Sequence, residues 1–210
     1  MRPDLYIDDY RPADRAALYE VCLRTGNLGV DAGPDHADRE LLGHIYLGPY
    51  LELEPSLALV LRSTDGPEPL GYVVATADTA AFEAACEERW WPPLRAHHRA
   101  HPPRPGSADA RLVRLIDDGV HTAGPWLTEH PAHLHVDLLE PARGSGAGRA
   151  LLTRLFAALE DRGVPGVHLE VASANDGAVA FYRRLGFAVV EERPDSRVMA
   201  RRLAPAAVAP

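Results

Sequence analysis

The 210-residue chain is 46% hydrophobic with a formal net charge of -8. That is enough apolar material for a full core, and the charge has the wrong sign for a general nucleic-acid binder, whose phosphate contacts need a basic footprint. Its 22 basic residues are all arginine, and the acidic balance mildly favours a cationic partner such as an amine.

In chain order, "LYIDDY" predicts a strand over Leu5–Tyr10, and "ADRAALYEVCLRT" places Ala17, Leu18, Val21 and Cys22 on one helical face behind an Asp14 N-cap. A hairpin follows, with strands at Ser56–Arg62 and Leu70–Thr76 joined through "TDGPEP". Residues 78–131 then read as a helical excursion: "AAFEAACEERWW", a proline break at "HHRAHPPRPG", and "ADARLVRLIDDG". The second half alternates: strand His133–Leu139, helix Gly146–Arg162, strand Val167–Ala172, helix Asp176–Leu185, and a hairpin through "FAVVEERPDSRVMARRL". The pattern predicts one α/β domain over residues 1–203 and a disordered tail over 204–210. Cys22 and Cys86 lie in helical patterns without disulfide or metal spacing, so both are expected in the core of a protein from a reducing compartment. Apolar runs such as "LALVL" are far too short for a bilayer, and a cytoplasmic monomer or homodimer, with neither membrane nor nucleic-acid partner, is the expectation.

The glycine cluster after His133–Leu139 is the strongest local signal. A strand, a glycine turn and a helix start make an anion site, because the first amides and the helix dipole both favour negative charge. A nucleotide-hydrolase phosphate loop requires a lysine, which the chain lacks. A dinucleotide fingerprint requires a third glycine where Arg149 stands. What fits is R-x-x-G-x-G, from Arg143 through Gly146 to Gly148.

With this motif, the segment "ANDGAVAFYRRLGF" at Ala174–Phe187 and the opening "YIDDYRPAD", the chain resembles the GNAT superfamily of acetyl-CoA-dependent N-acetyltransferases. Segments of the first half, including "RTGNLGVDAG" and the excursion with Trp90 and Trp91, resemble the acetyltransferase-like domain of animal O-GlcNAcases and its free-standing bacterial relatives. The resemblance implies a central mixed, mostly antiparallel, splayed sheet flanked by helices, with a helical insertion between the third and fourth strands. It implies acetyl-CoA as co-substrate and no metal. The backbone of Asp137, Leu138 and Leu139 would meet the pantetheine arm, with an amide of the Leu138–Leu139 region meeting the oxyanion. Arg143, Gly144, Ser145, Gly146, Ala147, Gly148 and Arg149 would cradle the pyrophosphate, and Asn175 and Tyr182 would approach from the other side, Tyr182 as acid to the departing thiolate. The acceptor is then an amine on a small molecule or a basic peptide. The alternative is a catalytically silent acetyl-CoA-binding or peptide-binding module.

Strand alternation adds an independent pointer. His133, His135 and Asp137 share one face of their strand, opposite Leu134, Val136 and Leu138. Titratable groups there need a cleft or one another. The two histidines also resemble the pair that helps deprotonate the amine in arylalkylamine acetyltransferases; the competing reading is a hydrogen-bonded polar face. Glu170, with His168 on its face, is the reserve base. "HHRAH", His97–His101, reads as a solvated loop in preference to a metal site, and the tryptophan pair as a core plug in preference to a substrate wall.

Overall fold

The computed structural model describes residues 1–204. Seven strands form a single sheet: β1 (Leu5–Asp9), β2 (Leu59–Ser63), β3 (Gly66–Thr76), β4 (Ala132–Leu138), β5 (Gly166–Ala172), β6 (Ala188–Glu192) and β7 (Ser196–Arg202), in the spatial order β1-β2-β3-β4-β5-β7-β6. Every pair is antiparallel except β4/β5. A parallel pair requires a crossover, and the helix α7 (Ala147–Glu160) provides it. The expected mixed sheet flanked by helices is therefore the observed fold.

Two cores lie on opposite faces of the sheet. Leu151, Leu152, Leu155, Phe156 and Leu159 of α7, at helical spacing, are buried against Val73, Leu134 and Leu169 on one face. On the other, α1 (Arg15–Thr25) buries Leu18, Val21 and Cys22 against Val60, Tyr72 and Val74. Cys22 and Cys86 are both free and buried. Two helices that the sequence pattern does not announce, α2 (Leu41–Tyr46) and α3 (Gly48–Leu53), pack here too. Each is six residues long, and Pro49 opens the second, so neither displays enough turns to make a period visible.

The insertion between the third and fourth strands contains α4 (Thr79–Ala85), a π-helical turn at Cys86–Trp90, α5 (Trp91–Ala100) and α6 (Ala108–Asp118). The expected break at "HHRAH" is displaced. Pro92 and Pro93 open α5, where their missing N–H groups cost little, so helix continues through His97 and His98 to Ala100. His98 is buried there, not solvated in a loop. Trp91 is buried in the second core, while Trp90 packs at its margin and donates its indole N–H to the His44 carbonyl at 2.8 Å.

Smaller departures have local causes. Asp14 stands at the N-cap of α1 but has helical dihedrals and makes no cap bond; its carboxylate instead accepts from the Arg11 amide at 2.9 Å and the Arg62 guanidinium at 2.8 Å. The first hairpin turns at Thr64–Asp65, and β3 begins at Gly66, because "GPEP" is extended rather than turned. At the C-terminal end, the Ala204 amide donates to Glu160 at 3.1 Å, while 205–210, the rest of the expected tail, lie outside the described residues. No helix among the described residues is long and apolar enough to cross a membrane.

Candidate active site

The glycine loop has the backbone that its composition demands. Gly144 and Gly146 have φ of +70° and +85°, a region that side chains disfavour. Between them, the Ser145 hydroxyl donates to the Ala142 carbonyl at 2.6 Å and accepts from the Ala147 amide at 3.2 Å. Because an α-helix leaves its first amides unpaired, Gly148 and Arg149 present theirs at the start of α7. Gly148 is needed for close approach: a Cβ there would lie 3.1 Å from Phe181 and 3.3 Å from Leu138. Free amides at a helix start beside two left-handed glycines form a concavity that can accept an anion. Arg143, expected to add charge, is strapped across the end of β4, donating to the carbonyls of Leu138 at 2.9 Å and Gly29 at 2.5 Å. Arg149 is exposed at the same cavity.

The sheet opens beside this loop. β4 and β5 pair only at Ala132/Val167 and His133/His168, and then diverge. The Leu139 amide donates to Leu70 at 2.9 Å, so alternation directs the main-chain groups of Leu139, Asp137 and His135 toward β3. Of the three residues expected to meet pantetheine through the backbone, only Leu138 therefore turns its N–H into the gap. A cavity of about 680 Å³ runs from Gly144 and Arg149 past Leu138 to Asn175 and Tyr182. Asn175 spends its side-chain oxygen on the Ala178 amide at 3.1 Å, capping α8 (Asp176–Arg184), and its amide N–H groups make no hydrogen bond among the described residues. Burial, reinforced by the Asp137 carboxylate, holds the Tyr182 phenol well above its ordinary range. Burial also raises Asp137, against the lowering effect of the Tyr72 hydroxyl, which donates to it at 2.6 Å.

A second cavity, of about 480 Å³, lies on the other side of the gap. The two share Leu134, His135, Leu169 and Glu170 in their walls. The insertion contributes eight residues to the second cavity, from Phe82 and Glu83 through Trp91 to Thr122 and Trp126, and nothing between 78 and 131 to the first. Tyr50, Thr79 and Trp126 also gather here, and no local pattern marked them; only their later neighbours identify them.

The two histidines of β4 differ in their bonding. His133 has both nitrogens engaged, Nε2 with the Tyr50 hydroxyl at 2.5 Å and Nδ1 with Thr79 Oγ1 at 2.7 Å. Thr79 donates its one hydroxyl proton to the Pro131 carbonyl at 2.6 Å, so His133 must donate from Nδ1 and accept at Nε2. His135 makes no side-chain hydrogen bond among the described residues and rests edge-on to Tyr46 and Tyr50, facing both cavities. Glu170, the reserve base, is committed: Arg193 donates to it at 2.7 Å and the Ser196 hydroxyl bonds its other oxygen. Among the described residues no group of three or more His, Cys, Asp or Glu side chains is arranged to hold a metal ion.

Burial lowers His135 and His168 from 6.5 to about 4 each. Between those values the unfolded chain binds more protons than the folded one, so stability is retained above pH 6.5 and falls as the pH drops toward 4. Thermal melts across that window should show a declining Tm. The decline should shrink in His168→Gln, and an identical pH dependence in that variant would rule out the contribution assigned to His168.

Comparison with known proteins agrees with this geometry. Residues 110–187 match the profile of the Acetyltransferase (GNAT) family. The crystal structure of SsHAT superposes with a TM-score of 0.89 at 37% identity, covering 96% of this chain and 100% of that one. Mycothiol acetyltransferase of Thermobifida fusca is 43% identical over 64% of this chain and 53% of its own length. The [ribosomal protein bS18]-alanine N-acetyltransferase of Escherichia coli is 52% identical over 20% of this chain and 28% of its own length. The chain thus spans about half, or less, of the curated relatives it matches.

Proposed function

Because the chain belongs to the GNAT acetyltransferase family, we propose that residues 1–203 act as one domain that transfers an acetyl group from acetyl-CoA to a primary amine by direct attack in a ternary complex. The observation that carries this reading is the meeting of two cavities at the β4–β5 gap, one reaching the anion loop and the other separate from it, with His135 on both walls. Acetyl-CoA supplies the activated thioester; the rest falls to the chain. The loop amides and Arg149 hold the pyrophosphate. The Leu138 amide donates to the acyl oxygen as charge develops there.

His135 takes the proton from the attacking nitrogen. Held near 4, it is neutral at pH 7 and available as an acceptor. It is a weak base, which suffices because the nitrogen becomes strongly acidic as its new C–N bond forms. Tyr182, kept protonated, donates to the departing sulfur. His133 holds Tyr50, and Asp137 sustains the protonated state of Tyr182; both are positioning residues in this reading.

The test is release of free CoA from acetyl-CoA across an amine panel, with His135→Gln beside the parent chain. The variant is expected to lose about 10²-fold in kcat/KM at pH 7. Part of that loss should be recovered near pH 9 to 10, where hydroxide can take the proton from the attacking nitrogen in place of His135. An unchanged pH–rate profile would remove His135 from the chemistry.

A further inference from the structure

Resting on that reading and refining it, we infer that the cavity beyond His135 is an acceptor site for a primary amine carried on a flat, uncharged body. Its position supports this first: anything seated there reaches the gap at His135 without crossing the anion loop. Its walls come next. Tyr50 and Phe82 stack with centroids 4.5 Å apart, Trp126 lies 4.4 Å from the His168 ring, and Trp91 forms part of the lining. Flat π-surfaces around a space of this volume suit a planar group better than a flexible polar chain.

Charge narrows the class further. Among the described residues the cavity has two carboxylates, Glu83 and Glu170. Glu170 is neutralised by Arg193, which also binds Glu191 at 2.8 Å. Glu83 has one oxygen engaged by the Thr122 amide at 2.8 Å. One net acidic group can draw in a single ammonium; a polyamine or aminoglycoside would leave its other charges unpaired among aromatic rings. Desolvation between those rings then favours the neutral amine that attack requires.

The seat for the amine follows from the direction of the hydrogen-bond chain. Because Thr79 donates to Pro131 and His133 donates to Thr79, the Tyr50 hydroxyl must spend its proton on His133. Its oxygen is left with acceptor capacity alone. It can therefore take an N–H from the amine, leaving the nitrogen lone pair free for the acyl carbon and a further N–H for His135. A tertiary amine would lack both donors.

The test measures initial rates at saturating acetyl-CoA for 2-phenylethylamine, n-hexylamine, spermidine, kanamycin and a lysine-containing peptide. The expected result is a kcat/KM for 2-phenylethylamine at least about tenfold above the last three and above n-hexylamine. Leu115→Arg, at the exposed rim of the cavity, should raise its KM at least about tenfold while acetyl-CoA affinity stays within about twofold. Preference for spermidine, kanamycin, the peptide or n-hexylamine would overturn the inference while leaving acetyl transfer intact, as would an unchanged KM in Leu115→Arg. If no amine turns over, calorimetry of 2-phenylethylamine against the CoA-saturated chain decides. Binding that Leu115→Arg abolishes would uphold the cavity assignment and overturn the transfer reading; absence of binding would overturn the cavity assignment.

Discussion

Gly146→Val should abolish acetyl-CoA binding in a chain that still folds, with an affinity loss of at least about 100-fold by calorimetry. Two physical effects combine. Gly146 has φ of +85°, which for a β-branched residue is strained by roughly 1–2 kcal/mol or more. That is a fraction of the roughly 5–15 kcal/mol that keeps a domain folded. The second effect is steric: a Cβ at this position already lies 3.0 Å from the Met1 backbone nitrogen, and two further methyl groups would occupy the concavity over the loop amides. Gly163→Ala separates strain from obstruction. Gly163 has φ of +71°, and a Cβ there has open space, beyond the far end of α7. Its variant should melt lower yet bind acetyl-CoA normally. Full affinity in a folded Gly146→Val protein would show that the loop does not hold the pyrophosphate.

Tyr182→Phe should cut turnover by about 10²-fold, with acetyl-CoA affinity changed by less than about twofold. The substitution removes one hydroxyl and keeps the ring, which packs beside Phe181 and Phe187. The low end of the range for acid catalysis is expected because burial and Asp137 raise the phenol, while a thiol titrates near about 8.5. Complete proton transfer to such a thiolate is uphill, so a hydrogen bond to the departing sulfur is the main effect. Asp137→Asn provides the partner measurement. Removing the charge should lower the Tyr182 pKa, which ultraviolet titration of the phenol would register. Normal turnover in Tyr182→Phe would leave the tyrosine with packing alone.

Much of this architecture was legible because it is written in short periods. Leu151, Leu152, Leu155, Phe156 and Leu159 repeat at helical spacing, and α7 buries all five. Strand alternation separated His133, His135 and Asp137 from Leu134, Val136 and Leu138, and the second core and the first divide along that line. Glycines at 144 and 146 were readable as backbone devices because no other residue accepts their dihedrals at so little cost. Where a local signal is short or double-valued, it does not fix the element. Helix α5 runs through the first half of the expected "HHRAHPPRPG" break, because Pro92 and Pro93 are tolerated in its first turn and too few apolar residues follow them to display a period.

Strand and helix order, the glycine loop and the polar face of β4 are all legible in residues a few positions apart. Which of the two histidines is free depends on packing over long sequence distances. Thr79 and Tyr50 lie 54 and 83 residues from His133, and their contacts with it are made by packing that no local period encodes. The same holds for Leu138 over Leu139 at the gap, a choice made by the register against β3. It holds also for the walls of the second cavity, which α3, the insertion and β5 build jointly. Hydrophobic burial is non-directional and selects partners only once the whole chain has closed. A side chain's chemical task is settled at that stage, by which of its polar atoms the closing fold has left without a partner.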